Sequence, residues 1–372
     1  MSEISPGLEN VYIKYTALTY IDGDKGIMRY RGYDINELAE KSTFERVSYL
    51  MLFGDLPDSR QLDDFINNIN KHLVLDDYLK IILKNMPETT DSLGMLQTLL
   101  SARAATEINY KYTSENDKKM IPEILGTVLS MVANIYRIKS GDGIIDPEPL
   151  NNYASTFLKA CFGSFTEEQA KAMDSALILY MDHEIPASTT AALVTASTLS
   201  DMYSSLASAV TALRGPLHGG AAEGAYRQFL EIGSPENVEK WFENNILNGN
   251  KRLVGFGHRV YRTFDPRLKT FKKYADILST TEEQKNILAT ARKLEETGIK
   301  AFGKKGIYTN TDFYSGIVFH AIGFPVDMFT TLFGLSRISG ILAQVTEYVE
   351  TQERLIRPRA IYNGLDYRKY PD

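Results

Sequence analysis

Apolar residues recur at intervals of three and four through 44–53, 62–73, 124–136, 167–181, 238–245 and 336–348, the spacing that gives a helix one continuous apolar face. Sustained period-two alternation is scarce, so the chain reads as mostly helical. The exception is 11–30. There Val11, Tyr12 and Ile13, then Leu18, Tyr20 and Ile21, then Ile27, Met28 and Tyr30 surround Asp22-Gly23-Asp24-Lys25-Gly26, a pattern of short strands joined by a turn. Glycine, proline and aspartate across 140–149 mark a long loop between helices. Residues 187–212 are mostly Ala, Ser or Thr and predict one long helix of roughly 40 Å, with Pro186 before it, Ser188 as N-cap and Gly215-Pro216 ending it. Its small side chains permit close helix approach, and Leu193, Val194, Leu199, Met202, Leu206 and Val210 give it apolar anchors, so it is expected to be central.

Composition bounds the picture without deciding it. The 372 residues are 44% apolar and 24% charged, which suits a globular protein of two or three domains with a sizeable core. The first residues have neither a basic n-region nor an apolar h-region, and no window of about 18 apolar residues is evident, so a cytoplasmic chain with no membrane span is expected. Cys161 is the single cysteine, which excludes an intrachain disulfide and a cysteine-rich metal site.

Charge distribution is more informative than its sum. A net charge of -6 argues against nucleic acid as a partner. Within 251–273, however, Lys251, Arg252, Arg259, Arg262, Arg267, Lys269, Lys272 and Lys273 face one acid, Asp265, and a smaller cluster follows at Arg354, Arg357 and Arg359. Such concentrations suit a small ligand bearing carboxylates or phosphates.

The candidate chemistry lies beside that basic stretch. Two of five histidines sit in glycine-framed blocks, Gly215-Pro216-Leu217-His218-Gly219-Gly220-Ala221 and Gly255-Phe256-Gly257-His258-Arg259-Val260-Tyr261. Glycine lets the backbone turn sharply and lets a ligand approach it closely. Each block alone could equally be a turn with a solvated histidine. His218 falls between the long helix and a second helical stretch, 221–232, whose N-terminal amides would disfavour an imidazolium. A neutral histidine there could donate to a developing enolate oxygen. Asp312, in Asn310-Thr311-Asp312-Phe313-Tyr314, could act as a base if burial raises its pKa, or could simply cap a helix. A metal-dependent hydrolase could use His183, His218, His258 and Asp312, but no pair has the close helical spacing common in metal sites, and no metal is expected.

These blocks, with Asp265-Pro266-Arg267 and the extension of the third through Ser315-Gly316, resemble the signatures of the citrate synthase family, in order. The similarity runs from Gly7-Leu8-Glu9-Asn10-Val11 and Tyr30-Arg31-Gly32-Tyr33 to Ile356-Arg357-Pro358-Arg359 and is nearest the short archaeal and prokaryotic type. The resemblance implies an all-α fold with minor β-structure near the N-terminus, a large domain from 1–217 and 321–372, and a smaller inserted domain, 218–320, that closes on substrate. It implies that His218 polarises the thioester of acetyl-CoA, Asp312 removes a methyl proton and His258 polarises the ketone of oxaloacetate. It implies substrate binding by His183, Arg267, Arg337 and Arg357, the last reaching the partner's site in a homodimer. Arg252, Leu253, Val254, Gly255 and Phe256 correspond to the loop that receives CoA, with Arg259 and Arg262 beside it. No cofactor beyond the substrates is implied. Propionyl-CoA, giving 2-methylcitrate, remains a rival, because one methylene changes binding by only about 1–3 kcal/mol. Ile341 and Gln344 stand where many prokaryotic members have Trp and His, so packing around Arg337 is expected to differ. His72, His320 and Trp241 match no motif and read as structural.

Overall fold

The computed structural model describes residues 4–107, 113–351 and 354–371. An antiparallel sheet opens it: β1 (Thr19–Asp22) pairs with β2 (Ile27–Tyr30) in the register Thr19↔Tyr30 to Asp22↔Ile27, and β2 pairs with the two-residue β3 (Tyr33–Asp34). The turn between the first two strands lies where the sequence places it. Val11, Tyr12 and Ile13 form no strand.

Helices make up nearly all the rest: α1 (Ile35–Lys41), α2 (Phe44–Phe53), α3 (Ser59–Asn70), α4 (Asp77–Lys84), α5 (Ser92–Ala104), α6 (Ser114–Lys139), α7 (Tyr153–Phe162) and α8 (Glu167–Tyr180). After them come α9 (Ala187–Ala196), α10 (Met202–Leu213), α11 (Ala221–Ile232), α12 (Val238–Phe242), α13 (Leu268–Leu278), α14 (Glu282–Phe302), α15 (Asp312–Ile322) and α16 (Phe329–Thr351). Short polar side chains set many of the starts. Asp58, Thr166 and Thr281 each form a reciprocal capping box with a glutamine three residues on, satisfying amides that α3, α8 and α14 would otherwise leave orphaned.

The predicted long helix over 187–212 is instead a pair, α9 and α10, packed against each other. Three local features break it. The Ser197 and Thr198 hydroxyls donate back to the carbonyls of Val194 and Thr195, Leu199 adopts a left-handed φ of 63°, and Asp201 caps the new helix through Ser204 N. Ser188 is not the cap either: Pro186 holds that position, and Ser188 lies inside α9. Val194 and Leu199 are exposed, whereas Leu193, Met202, Leu206 and Val210 are buried.

The centre of the molecule is α16, which packs on α2, α5, α6, α8, α9, α10 and α11. With its lead-in turn, Val326–Thr351 is long and apolar enough to cross a bilayer by length and composition, a candidate the sequence reading did not single out; 83% of its apolar window is buried inside the protein. Polar residues share this burial, with Arg337 at 3% exposure and Ser339 and Gln344 at 0%. The approach of α16 to the end of α8 is so close that a Cβ on Gly340 would overlap the Met181 carbonyl oxygen and lie 2.9 Å from Asp182 Cβ.

A methyl group there must push two helices apart. Gly340→Ala is therefore expected to destabilise the fold at the upper end of about 1–3 kcal/mol. Gly334→Ala on the same helix, whose added Cβ would meet Leu93 Cδ1 at an ordinary 3.4 Å, should be tolerated. Denaturant melts of both variants check this, and equal stability losses would contradict it.

Candidate active site

Two backbone segments bring His258 and Asp312 together. Gly255 and Gly257, both with a φ of 79°, carry residues 255–257 alongside 308–310. Asn310 N donates to Gly255 O at 2.9 Å, Gly257 N to Tyr308 O at 2.8 Å, and Asn310 Nδ2 to Gly257 O at 2.8 Å, with a bridge pairing Phe256 and Thr309. Gly255 lies so near Phe313 that a Cβ would sit 2.9 Å from its ring, so both the left-handed φ and the packing demand glycine. The β1–β2 turn supports the far side, where Arg262 N donates to Gly23 O at 2.9 Å.

His258, His218 and His183 are held neutral, and for the first two the surroundings choose the tautomer. His258 Nδ1 accepts the amides of Val260 at 2.9 Å and Tyr261 at 3.2 Å, so its proton resides on Nε2. Burial, then the Arg267 charge, brings its pKa down to about 4. His218 Nε2 accepts the Ser188 amide at 3.2 Å and lies 2.9 Å from Ser188 Oγ, which puts its proton on Nδ1. Burial, then Arg337, lowers it likewise to about 4. The amide against His218 thus comes from the start of α9, not from α11 as its place in the sequence suggests. His183 packs 5.0 Å from the His258 ring, with Nε2 3.2 Å from the Tyr261 hydroxyl. Burial, followed by Arg267, His258 and Arg337, pushes it well below the usual imidazole range.

Two guanidiniums adjoin these rings in different states. Arg267 forks onto Asp265 through Nε at 2.9 Å and Nη2 at 2.7 Å, and both residues are buried. Arg337 has no carboxylate within 4.0 Å among the described residues; its Nε donates to Tyr180 O at 2.6 Å and its Cζ lies 4.7 Å from the Phe333 ring centre. Burial draws its pKa down, with the more distant Asp182 opposing. Asp312, the first residue of α15, is half-buried, and the desolvation pushes its carboxyl up; the Tyr180 hydroxyl, 2.8 Å from Oδ1, and Arg267 oppose the rise.

The structure thus gathers His218, Asp312, Arg267 and Arg337 around Tyr180 and Phe333, with His183 and His258 joined to each other, to Tyr261 and to the charge of Arg267. Arg357 is exposed on the C-terminal segment and makes no ion pair or hydrogen bond with them. Of the basic stretch, Lys251, Arg267, Lys272 and Lys273 pair with Glu231, Asp265, Glu295 and Glu40. Arg252, Arg259, Arg262 and Lys269 have no ion pair among the described residues and are exposed. Leu253 and Val254 are half-buried, with Val254 held by main-chain bonds to the Gln228 amide, and Phe256 packs edge-on against Phe313. Gln344 does not touch Arg337; it bridges Lys14 Nζ, at 2.9 Å, to Asp182 Oδ2, at 3.1 Å. His320 stacks on Tyr226, and Trp241 is nearly buried. Among the described residues no three His, Cys, Asp or Glu side chains converge as a metal site would require.

Sequence reasoning missed Tyr180, Tyr261 and Ser188. Tyr180 reads as one more apolar position of α8, and Ser188 as one of many small residues.

Known proteins similar to this chain cover its whole length. The family model described as citrate synthase, C-terminal domain, matches residues 7–359. A citrate synthase of Saccharolobus solfataricus is 52% identical over 100% of this chain and 98% of its own length, and one of Thermoplasma acidophilum is 49% identical over 99% and 97%. The ternary complex of Thermoplasma acidophilum citrate synthase with carboxymethyl coenzyme A and oxaloacetate has a TM-score of 0.97 at 48% identity, covering 100% of this chain and 99% of that one. Citrate synthase from Pyrobaculum aerophilum gives 0.91 at 39% identity, covering 99% and 94%. With its all-α fold and these relatives across its full length, the chain belongs to the citrate synthase family of acyltransferases.

Proposed function

We propose that this protein is a cytoplasmic citrate synthase that condenses acetyl-CoA with oxaloacetate and hydrolyses the resulting citryl-CoA to citrate and CoA. The observation that carries the reading is Arg337, a buried guanidinium without a carboxylate partner among the described residues, set beside three neutral imidazoles and a half-buried carboxylate. A buried, unpaired cation is costly until an anion meets it. Oxaloacetate brings two carboxylates, and Arg337 with Arg267 would both orient it and offset its repulsion of an incoming enolate. His183 adds a neutral contact.

The chemistry follows from where the protons sit. Asp312 takes a methyl proton from the thioester while His218 Nδ1–H donates to the thioester oxygen, because a carboxylate removes so weak an acid only with electrophilic help. The enolate carbon then bonds to the ketone carbon of oxaloacetate. The ketone's π electrons move onto its oxygen, which receives a proton from His258 Nε2. Water cleaves the thioester of citryl-CoA, releasing CoA and citrate. Arg252, Arg259 and Arg262 provide unpaired cations for CoA phosphates beside the 252–256 segment. No metal or other cofactor enters these steps. The relatives are named citrate synthases, which favours acetyl-CoA over propionyl-CoA.

We further propose a homodimer in which Arg357, on the exposed C-terminal segment, completes the site of the partner.

Thiol release from acetyl-CoA in the presence of oxaloacetate should survive exhaustive chelation, with kcat/KM for acetyl-CoA above that for propionyl-CoA; absence of release would overturn the reading. Asp312→Asn should lower kcat by roughly 10²-fold or more while leaving oxaloacetate affinity within about twofold. Near-normal turnover would remove Asp312 from its role. Mixing Asp312→Asn chains with Arg357→Gln chains, each inactive alone, should restore roughly a quarter of wild-type activity through hybrid dimers, and no recovery after subunit exchange would exclude a shared site.

A further inference from the structure

Tyr180, the last residue of α8, is buried at the meeting point of the base and the unpaired arginine. Its phenol oxygen lies 2.8 Å from Asp312 Oδ1 and 2.8 Å from Ser315 Oγ. A phenol has one proton, and a carboxylate is the stronger acceptor. Tyr180 therefore donates to Asp312, and the Ser315 hydroxyl turns its own proton to the phenol oxygen. Burial, reinforced by the Asp312 charge, holds the Tyr180 hydroxyl protonated well above its ordinary range, so it remains a donor wherever the enzyme works. No hydrogen bond among the described residues engages Asp312 Oδ2.

We propose that Tyr180 is a positioning residue for the base: its hydroxyl takes Oδ1 of Asp312, aims the carboxylate, and leaves Oδ2 to receive the substrate proton. This rests on the reading of Asp312 as the base. The charged groups facing Asp312 are few. From the approach to α13 come Arg267, which favours the carboxylate, and Asp265, which disfavours it; from α16 comes Arg337, which favours it weakly. Glu295 of α14 meets α15 through Tyr314 instead, and Glu223 of α11 is bound to Thr330. Burial dominates in the direction of a neutral acid, and the Tyr180 hydroxyl is the largest influence against it. Without that hydroxyl the carboxyl would hold its proton to higher pH and could not accept another. The same residue also receives Arg337 Nε on its main-chain oxygen, so one turn of α8 references both the base and the carboxylate-binding arginine.

Tyr180→Phe isolates the hydroxyl. The ring remains packed against Phe271 and Phe333, at 5.3 and 4.6 Å between centroids, and the carbonyl on Arg337 is untouched. The measurement is the pH profile of kcat for wild type, Tyr180→Phe and Ser315→Ala, together with ¹³C NMR titration of the Asp312 carboxyl in the unliganded proteins. A base is active above its pKa, so a raised pKa moves the acidic limb to higher pH. Tyr180→Phe should move limb and carboxyl titration upward by about one unit and lower kcat roughly tenfold at neutral pH, with KM for oxaloacetate within about twofold. Ser315→Ala should give a smaller shift in the same direction, and decides the matter if Tyr180→Phe does not fold. Unmoved titration of Asp312 in the folded variants, or kcat and KM falling together without a shifted limb, would overturn the proposal. Should the wild-type enzyme release no thiol, the functional reading fails, while the carboxyl titration still reports whether Tyr180 controls Asp312.

Discussion

A guanidinium buried within α16 with no carboxylate within 4.0 Å among the described residues sets the terms for the rest of the site. Removing such an ion from water costs several kcal/mol even after relaxation. Arg337 recovers only part of this from the Tyr180 carbonyl and the face of Phe333. Burial first keeps His183 and His218 unprotonated, and neighbouring groups add repulsion to it, Arg337 at His218 and Arg267, His258 and Arg337 at His183. Neutral imidazoles are the useful form for this chemistry. Each keeps one N–H to donate and one lone pair to accept, and the fixed positive charge rests on the guanidiniums.

Holding that arrangement requires the end of α8 to be immobile, and the N-terminal part of the chain supplies the clamp. The Tyr30 hydroxyl, from β2, donates to Asp182 O at 2.9 Å and accepts from Asp182 N at 3.0 Å. Thr19 of β1 and Gln344 of α16 both donate to Asp182 Oδ2, and Lys14 joins Gln344 to Glu347, 2.6 Å from Nζ. The only sheet among the described residues therefore braces the residue immediately before His183. The Gly340 contact presses from the other side, so the segment from Tyr180 to His183 is fixed by strands, by a helix and by hydrogen bonds that converge on Asp182, whose Oδ1 alone has no partner among the described residues.

How much of this could be read from the chain depended on the range of the interaction. Helical periodicity is local, and α2, α8 and α16 lie where spacing places them. Glycine frames are local too: they marked His258 through the left-handed backbone at Gly255 and Gly257, and His218 through Gly219, where a Cβ would overlap Leu213 O. His183 has no such frame and was reached only through resemblance. The break between α9 and α10 was also local, written in Ser197, Thr198, Leu199 and Asp201, but hidden within a run of small residues that favours helix on average. Contacts such as Tyr180 with Asp312, Ser188 with His218 and Tyr261 with His183 join residues distant in sequence, and nothing in the single chain announces them.

Helix ends account for where the site's charges lie. Asp312 is the first residue of α15, where the helix presents partial positive charge, so a half-buried carboxylate there is offset by the dipole as well as by Tyr180. Arg337 places its Nε on the last carbonyl of α8, at the negative end of that helix. His218 offers its Nε2 lone pair to an amide in the first turn of α9. Each group thus meets the helix terminus that suits its state: anion and lone pair at N-termini, cation at a C-terminus. α8 runs antiparallel along α15, with Gln169 Nε2 bonded to Ile322 O at one end and Tyr180 to Asp312 at the other. The pairing of those two helices brings the positive end of one beside the negative end of the other. A carboxylate and an unpaired guanidinium can therefore sit close together, because each meets backbone dipoles of the sign that favours its charge.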